Sequence, residues 1–289
     1  MSERTTGLMV KICLMALLTV GLLIPSCKKS EPADKAGGSE QKAASKTTET
    51  PKQPAATPDV SKKPALALGE ANHPAVAPDT SKQYVVDANG VKLVLLDIKL
   101  PPKMFVGTPQ NIQVPNLEKP LGKERPPFYA PEGTTNVALG KSVTGTDKEP
   151  IIGKLEMVTD GDTSAADGSY VELGPFVQSV TIDLGAEYNI YAVLFWHYHK
   201  QARVYYDVIV QVADDPDFIT NVKTLFNNDI DNSAGLGVGT DMHYIETSEG
   251  KLVDAKGVKS RYVRLYSNGN NSNELNHYIE VEVFGKPAK

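Results

Sequence analysis

Cysteine is nearly absent from this 289-residue chain, and both copies, Cys13 and Cys27, fall within the first thirty residues. No disulfide can staple the remainder, and no cysteine-based zinc site can form there. Aromatic residues are missing from the whole N-terminal stretch, the first being Tyr84, so an aromatic core is confined to the last two thirds. Excess positive charge is lacking as well. Thirty Lys and Arg face 35 Asp and Glu, a formal net charge of −5. Nucleic-acid binding needs a Lys/Arg stripe to neutralise phosphates, and its absence argues against such a partner. No segment of useful length has capped helical periodicity, and neither a Gly-x-Ser-x-Gly elbow nor a His-Glu-x-x-His helix occurs. A hydrolase reading has no motif to stand on.

What is present begins with an export signal. Arg4 and Lys11 precede an apolar run from Ile12 to Ile24. At ~1.5 Å rise per residue this run is too short for a bilayer core of ~30 Å but suits a signal-peptide core. Ile24-Pro25-Ser26-Cys27 resembles the bacterial lipobox, although Pro25 departs from its usual small or β-branched residue. The resemblance implies a signal peptide over 1–26, cleaved so that Cys27 becomes a lipidated N-terminus. The alternative is an uncleaved anchor with an incidental cysteine. Either way the expectation is an exported protein held to the bacterial envelope, and Lys28 in place of an Asp favours the outer membrane.

Residues 27–82 are mostly Ala, Lys, Pro, Ser, Thr and Glu. Such a segment buries too little apolar surface to offset its chain entropy, so a disordered tether is expected. Its root-mean-square span would be ~40 Å. Pro-Asp-Val-Ser-Lys at 58–62 and Pro-Asp-Thr-Ser-Lys at 78–82 echo each other as a linker duplication. Over 83–133, Asp87-Ala-Asn-Gly90 between Tyr84-Val-Val86 and Val91–Leu96 predicts a hairpin. Eight prolines between Pro101 and Pro131 exclude helix and central strand, leaving an extended arm pinned on the main domain by Phe105, Phe128 and Tyr129.

Residues 134–286 read as all-β. Val180, Ile182 and Leu184 alternate with polar residues before Gly185, which is expected to end that strand. Ile190–Trp196 is apolar on both faces, as in a buried strand. Tyr206–Val212, Arg261–Tyr266 and Tyr278–Phe284 alternate again between Gly- and Asn-rich turns. Short strands with turn clusters over roughly 150 residues predict a β-sandwich or barrel.

Six segments fall in a familiar order: Asn136-Val-Ala-Leu-Gly-Lys-Ser142, Thr159-Asp-Gly-Asp162, Val180-Thr-Ile-Asp-Leu-Gly185, Tyr206-Asp-Val-Ile-Val-Gln-Val212, Arg261-Tyr-Val-Arg-Leu265 and Glu280-Val-Glu-Val-Phe-Gly285. Together they resemble a discoidin domain, the coagulation factor V/VIII type C family. The resemblance implies an all-β, galactose-binding-like jelly roll of eight strands whose loops at one end bind glycans, lipid head groups or proteins without catalysis. Bacterial members mostly bind carbohydrate. The bracketing disulfide of animal members is absent, and the usual tryptophan after the Asp-Gly segment is replaced near Tyr170-Val171.

The resemblance also implies a structural calcium ion on Asp160, Asp162, Ser169 and Glu280. Carboxylates and loop carbonyls give a hard cation its oxygens. An insertion at Ser164–Asp167 makes Thr163 a rival donor, and the alternative is a solvated turn with Glu280 paired to an arginine such as Arg264. For ligand contact the family loop falls on Trp196–Arg203. His197 and His199 are expected to alternate onto one side, and His197, Tyr198, His199 and Arg203, with Tyr205 as an alternative, would offer donors, acceptors and an aromatic face for a sugar. The His-x-His pair as a zinc or copper site is the lesser reading. A second cluster, Asn268–Asn273 with Asn270, Asn276 and His277, could converge on the same end. The long loop 227–241 carries Asp229, Asp231 and Asp241 as a possible second cation set, without EF-hand spacing.

The sequence thus predicts a non-catalytic, envelope-anchored lipoprotein whose discoidin-like domain binds carbohydrate, with the membrane engaged through its N-terminal lipid. The alternative is a protein-interaction or scaffold module docking an envelope protein.

Overall fold

Twelve strands and one short 3-10 turn account for the regular structure in a computed structural model, which describes residues 84–288 except 88, 108 and 110. The lipobox, Cys27 and the tether lie outside the described residues. In the arm, β1 (Tyr84–Val86), β2 (Lys92–Leu95) and β3 (Tyr129–Pro131) form an antiparallel three-stranded sheet. The Asn-Gly turn predicted between β1 and β2 is present: Gly90 has φ +78°, and Asp87 Oδ1 accepts the N–H groups of Asn89 and Val91.

The sandwich begins with β4 (Thr135–Asn136) and β5 (Ser142–Gly145), followed by the 3-10 turn Leu155–Thr159 and β6 (Val171–Leu173). The very long β7 (Gln178–Trp196) precedes β8 (Ile209–Ala213) and β9 (Lys223–Asn227). A second long strand, β10 (Lys251–Ser267), leads to β11 (Asn276–Tyr278) and β12 (Glu280–Pro287). All strand pairs are antiparallel. The long strands β7 and β10 pair along nearly their whole lengths and serve both layers. One layer runs β5–β7–β10–β8–β9 through residues 178–183 and 262–267. The other runs β4–β12–β7–β10 through residues 188–196 and 251–260. The chain therefore closes into the jelly-roll sandwich that the discoidin resemblance implies.

Two expectations need correction. Gly185 does not end a strand. With φ +81° it sits in a bulge of β7, where the pairing passes from Tyr262↔Asp183 to Ser260↔Tyr188, and the bulge turns the strand from one layer into the other. Because β7 and β10 are each used twice, seven strands among the described residues build the main sheet, rather than eight separate ones.

Packing follows the two-residue period. Val180, Ile182, Val263 and Leu265 of the first layer face Val193, Phe195, Val281 and Val283 of the second, all fully buried in one core. The outer face of the second layer is apolar too, which explains the unbroken Ile190–Trp196 run. Ala192, Leu194, Trp196 and Phe284 lie there under Leu96, Ile98, Phe128 and Ala130 of the arm. Trp196 Nε1 donates to Ser248 O at 3.0 Å, which satisfies its one polar atom.

Candidate ligand-binding end of the sandwich

The Asp-Gly loop follows the 3-10 turn and meets the last strand. Gly161, at φ +89°, donates its N–H to Glu280 Oε2 at 3.1 Å. The loop braces itself, Asp160 Oδ1 accepting Asp162 N–H at 2.8 Å and Asp162 Oδ1 accepting Ser164 N–H at 2.9 Å. Hydrogen bonds from Ser164, and then Ser169, hold the Asp162 carboxyl below its usual range. Glu280 is fully buried and its Oε1 has no partner. Burial first, and the nearby Asp160, Glu282 and Asp162 carboxylates, push its pKa up to about 9. A buried, orphaned carboxylate oxygen beside two further carboxylates suits a hard cation in its donor chemistry. The three carboxylates do not all approach within 4.8 Å of one another, as a different aspartate set does. Arg264 is not the partner of Glu280. It lies on the other layer, stacked on Phe218 and donating to Thr181 Oγ1 and Pro216 O.

The His/Arg segment is an interior network. His197 and His199 are fully buried and Tyr198 and Arg203 nearly so. The two histidines do not share a side, because strand geometry stops at Trp196. His197 turns inward, stacking on Tyr205 at 4.2 Å with its Nδ1 3.2 Å from Glu246 Oε2. His199 turns outward to the Asp-Gly loop, its Nε2 2.9 Å from Thr163 O. That contact occupies the carbonyl of the rival calcium donor. Neither histidine is placed for surface contact with a ligand.

His277 organises the neighbouring half of the network. Burial, then Arg203 and His197, push its pKa down to about 3, so the ring is neutral. The network assigns its tautomer: Nε2–H donates to Glu172 Oε2 at 3.0 Å, and Nδ1 accepts the Tyr205 hydroxyl at 3.1 Å. Arg203 Nη1, 3.4 Å from the same Nε2, therefore faces a donor and gains no hydrogen bond there. The Arg203 guanidinium rests 4.7 Å above the Tyr198 ring with its Nε buried and unpartnered.

The two predicted clusters do converge. Val204 N–H donates to Asn271 Oδ1 at 2.8 Å, Asn271 N–H donates back to Val204 O at 3.0 Å, and Tyr205 bridges Asn270. Their individual roles differ from the expectation of direct contact. Asn276 spends every polar position: Nδ2 donates to Gly174 O and Phe176 O, and Oδ1 accepts from Ser267 Oγ and Gly269 N. Asn270 likewise spends its amide on Asn273 and Leu275 and its oxygen on Ser272 and Asn273 N–H groups. Both are braces.

What these braces shape is a cavity of ≈ 280 Å³ lined by Phe176, Tyr206, Asn268, Asn270, Asn273 and Glu274. Phe176 is 78% exposed and takes φ +67°, a left-handed conformation that costs a non-glycine residue ~1–2 kcal/mol. Asn276, holding its carbonyl, keeps it there. The Tyr206 hydroxyl, Asn268 Oδ1, Asn273 Nδ2 and the exposed Glu274 carboxylate make no hydrogen bond to another described residue. Sequence reasoning missed Phe176, Tyr206 and Glu274. The only signal was the Tyr205-Tyr206 doublet, which places one ring inward and one outward.

The 227–241 loop buttresses this cavity. Asp207, Asp229 and Asp231, not Asp241, bring their carboxylates within 4.8 Å of one another. Asp241 Oδ2 is taken by Asn227 N–H at 2.7 Å. The trio is already supplied with donors: Ser233 and Ala234 N–H groups to Asp229, and Ser233 Oγ and Asn268 Nδ2 to Asp207.

No family model matches this chain, and no curated protein matches it. Among solved structures it is similar to the CBM32 of AlyQ in complex with 4,5-unsaturated mannuronic acid, at 20% identity and TM-score 0.37, covering 50% of this chain and 93% of that one. It is similar to a fucose-binding module of Streptococcus pneumoniae, at 16% identity and TM-score 0.38, covering 54% and 99%. A third is the family 89 glycoside hydrolase from Clostridium perfringens, at 20% identity and TM-score 0.39, where the match covers 53% of this chain but 15% of the enzyme.

Proposed function

We propose that this chain is a non-catalytic carbohydrate-binding lipoprotein of the bacterial envelope, held by an acylated Cys27 and seating a saccharide at the loop end of its sandwich. The observation that carries the reading is Phe176, an exposed aromatic held in a strained conformation over an amide-lined cavity. A sugar ring packs its C–H face on such an aromatic while its hydroxyls meet the free Tyr206, Asn268, Asn273 and Glu274 groups. No cation lines this cavity and a carboxylate does, so the ligand class is a neutral or amino sugar, not a uronate. Glycan-array screening followed by calorimetry tests this. Phe176→Ala is expected to lower affinity at least about tenfold, the cost of losing one aromatic contact, with the melting temperature unchanged because the side chain is exposed. Equal binding by the variant, or a blank array with folded protein, overturns the site.

Calcium belongs to the same proposal. Glu280, Asp160 and Asp162 with Ser169 would hold it, and the ion would supply positive charge that pins the Asp-Gly loop to the last strand. A protein-docking role is supported by the β1–β2 hairpin, where Tyr84, Val85, Val86, Val91 and Leu95 are all exposed. Stoichiometric co-purification of an envelope protein together with a blank glycan array would replace the first reading with this one.

A further inference from the structure

A groove of ≈ 600 Å³ runs between the proline arm and the segment leading into β10, and shares no lining residue with the loop-end cavity. Its size is that of a ligand cleft. Its walls are fastened to each other. Leu117 bridges His243 in parallel, Glu118 N–H donating to His243 O at 2.8 Å and His243 N–H to Asn116 O at 2.9 Å. Further along, Arg125 N–H donates to Glu249 Oε2 at 3.1 Å, and Arg125 Nη1 to Glu249 O and Gly250 O at 2.9 and 3.3 Å. The groove is a built feature of the arm's seat.

Its charge opposes that of the chain. The groove carries five cationic side chains and three carboxylates, whereas the whole chain has a net charge of −5. All three carboxylates are engaged: Glu118 by Lys251 at 3.2 Å, Glu124 by Lys103 at 3.7 Å, and Glu249 by the Arg125 backbone. Lys119 and Lys123 are exposed and form no ion pair among the described residues. Arg125 Nε and Nη2 donate to no described residue, and burial lowers the pKa of its guanidinium against the opposing pull of Glu249. A partly dehydrated guanidinium with an open edge takes a carboxylate in bidentate fashion. Leu121, 64% exposed, stands with Phe105 and Leu252 among these cations.

We infer that this groove docks an extended acidic peptide from a partner protein, with carboxylates on Arg125, Lys119 and Lys123 and interleaved apolar side chains on Leu121, Leu252 and Phe105. The two rings of the groove, Phe105 and Tyr244, are half-buried and buried, so neither offers the open aromatic face that an anionic saccharide calls for, which favours peptide side chains. Extended chain already lies along this part of the sandwich, since the arm itself adds a parallel bridge there.

The test uses fluorescence polarisation with a labelled peptide of alternating Glu and Leu on the folded protein. Binding is expected, weakening on the order of tenfold or more when Gln replaces Glu, and falling with added salt. The exposed pair Lys119→Glu and Lys123→Glu should cause the same loss at an unchanged melting temperature, and Arg125→Gln should add to it. Equal affinity for the Gln-Leu peptide, or undiminished binding by the double charge reversal, overturns the proposal. So does binding of a labelled oligoglucuronate where the Glu-Leu peptide fails, which would make the groove a saccharide site.

Discussion

Glu280→Gln is expected to melt above the unmodified protein at pH 8 in calcium-free buffer, and to lose any calcium response. The sign follows from proton linkage. The Glu280 carboxyl is held at about 9 in the folded chain against an ordinary value of 4.5, so the folded state retains a proton that the unfolded state releases. Stability is then fully present below about 4.5 and falls as pH rises toward about 9, by as much as ~1.4 kcal/mol per pH unit. Glu282, pushed up to about 7 by burial, adds to the fall in the lower part of that window. Glutamine keeps the hydrogen bond from Gly161 and cannot ionise. Its melting temperature should therefore exceed that of the parent at pH 8, with the gap closing near pH 4.5. Calcium at about a hundred times its dissociation constant would contribute ~2.7 kcal/mol to the parent alone, several degrees in a domain of this size. Scanning calorimetry across pH, with millimolar calcium or a chelator, checks both halves. A parent protein whose melting is flat with pH and blind to calcium would remove the metal from the proposed function.

Truncating Glu246 to alanine should cost about 1–3 kcal/mol, the penalty for taking one partner from a fully buried hydrogen bond. Glu246 and His197 have no exposed side-chain surface, and Glu246 Oε1 and His197 Nε2 already lack partners. Removing the carboxylate leaves the imidazole buried between Tyr205, Tyr244 and Tyr278, with only the Tyr244 hydroxyl, 3.4 Å away, to meet its Nδ1. The loss should reach the ligand end, because Tyr205 stacks on His197 and also supplies the hydroxyl that fixes His277. Replacing both members, Glu246→Leu with His197→Phe, should recover most of the stability, since apolar groups of similar shape often match a buried pair. Urea unfolding of the singles and the double decides it. A single-variant cost under about 1 kcal/mol would show that the pair is not coupled to the core.

Much of this fold was legible because the relevant residues obey local rules. Asn89-Gly90 announces a turn whose glycine needs a positive φ, and Ile190–Trp196 is apolar on both faces because the arm covers the outer one. What escaped the sequence depends on residues that depart from local rules. Gly185 reads as a stop, yet in a bulged pair it is a bend. Asp207 takes φ +50°, so the strand predicted from Tyr206 starts at Ile209 and Tyr206 is freed to line the cavity. The histidines were expected to alternate, but the period lapses after Trp196 and they diverge. Phe176 could not be singled out in advance, since its exposure is imposed by Asn276, a hundred residues later. The candidate calcium donors were easier to find, being adjacent in a loop or opposite it on the final strand.

Because β7 and β10 each pass through both layers, the sandwich has no seam. A module assembled from two separable sheets can lose one and leave the other as a partly ordered remnant. Here any interruption near Gly185 withdraws a strand from each side at once, so no half of the molecule retains an interior of its own. Insertions and fusions are then tolerable only at the loop tips, the places where this protein is free to diversify.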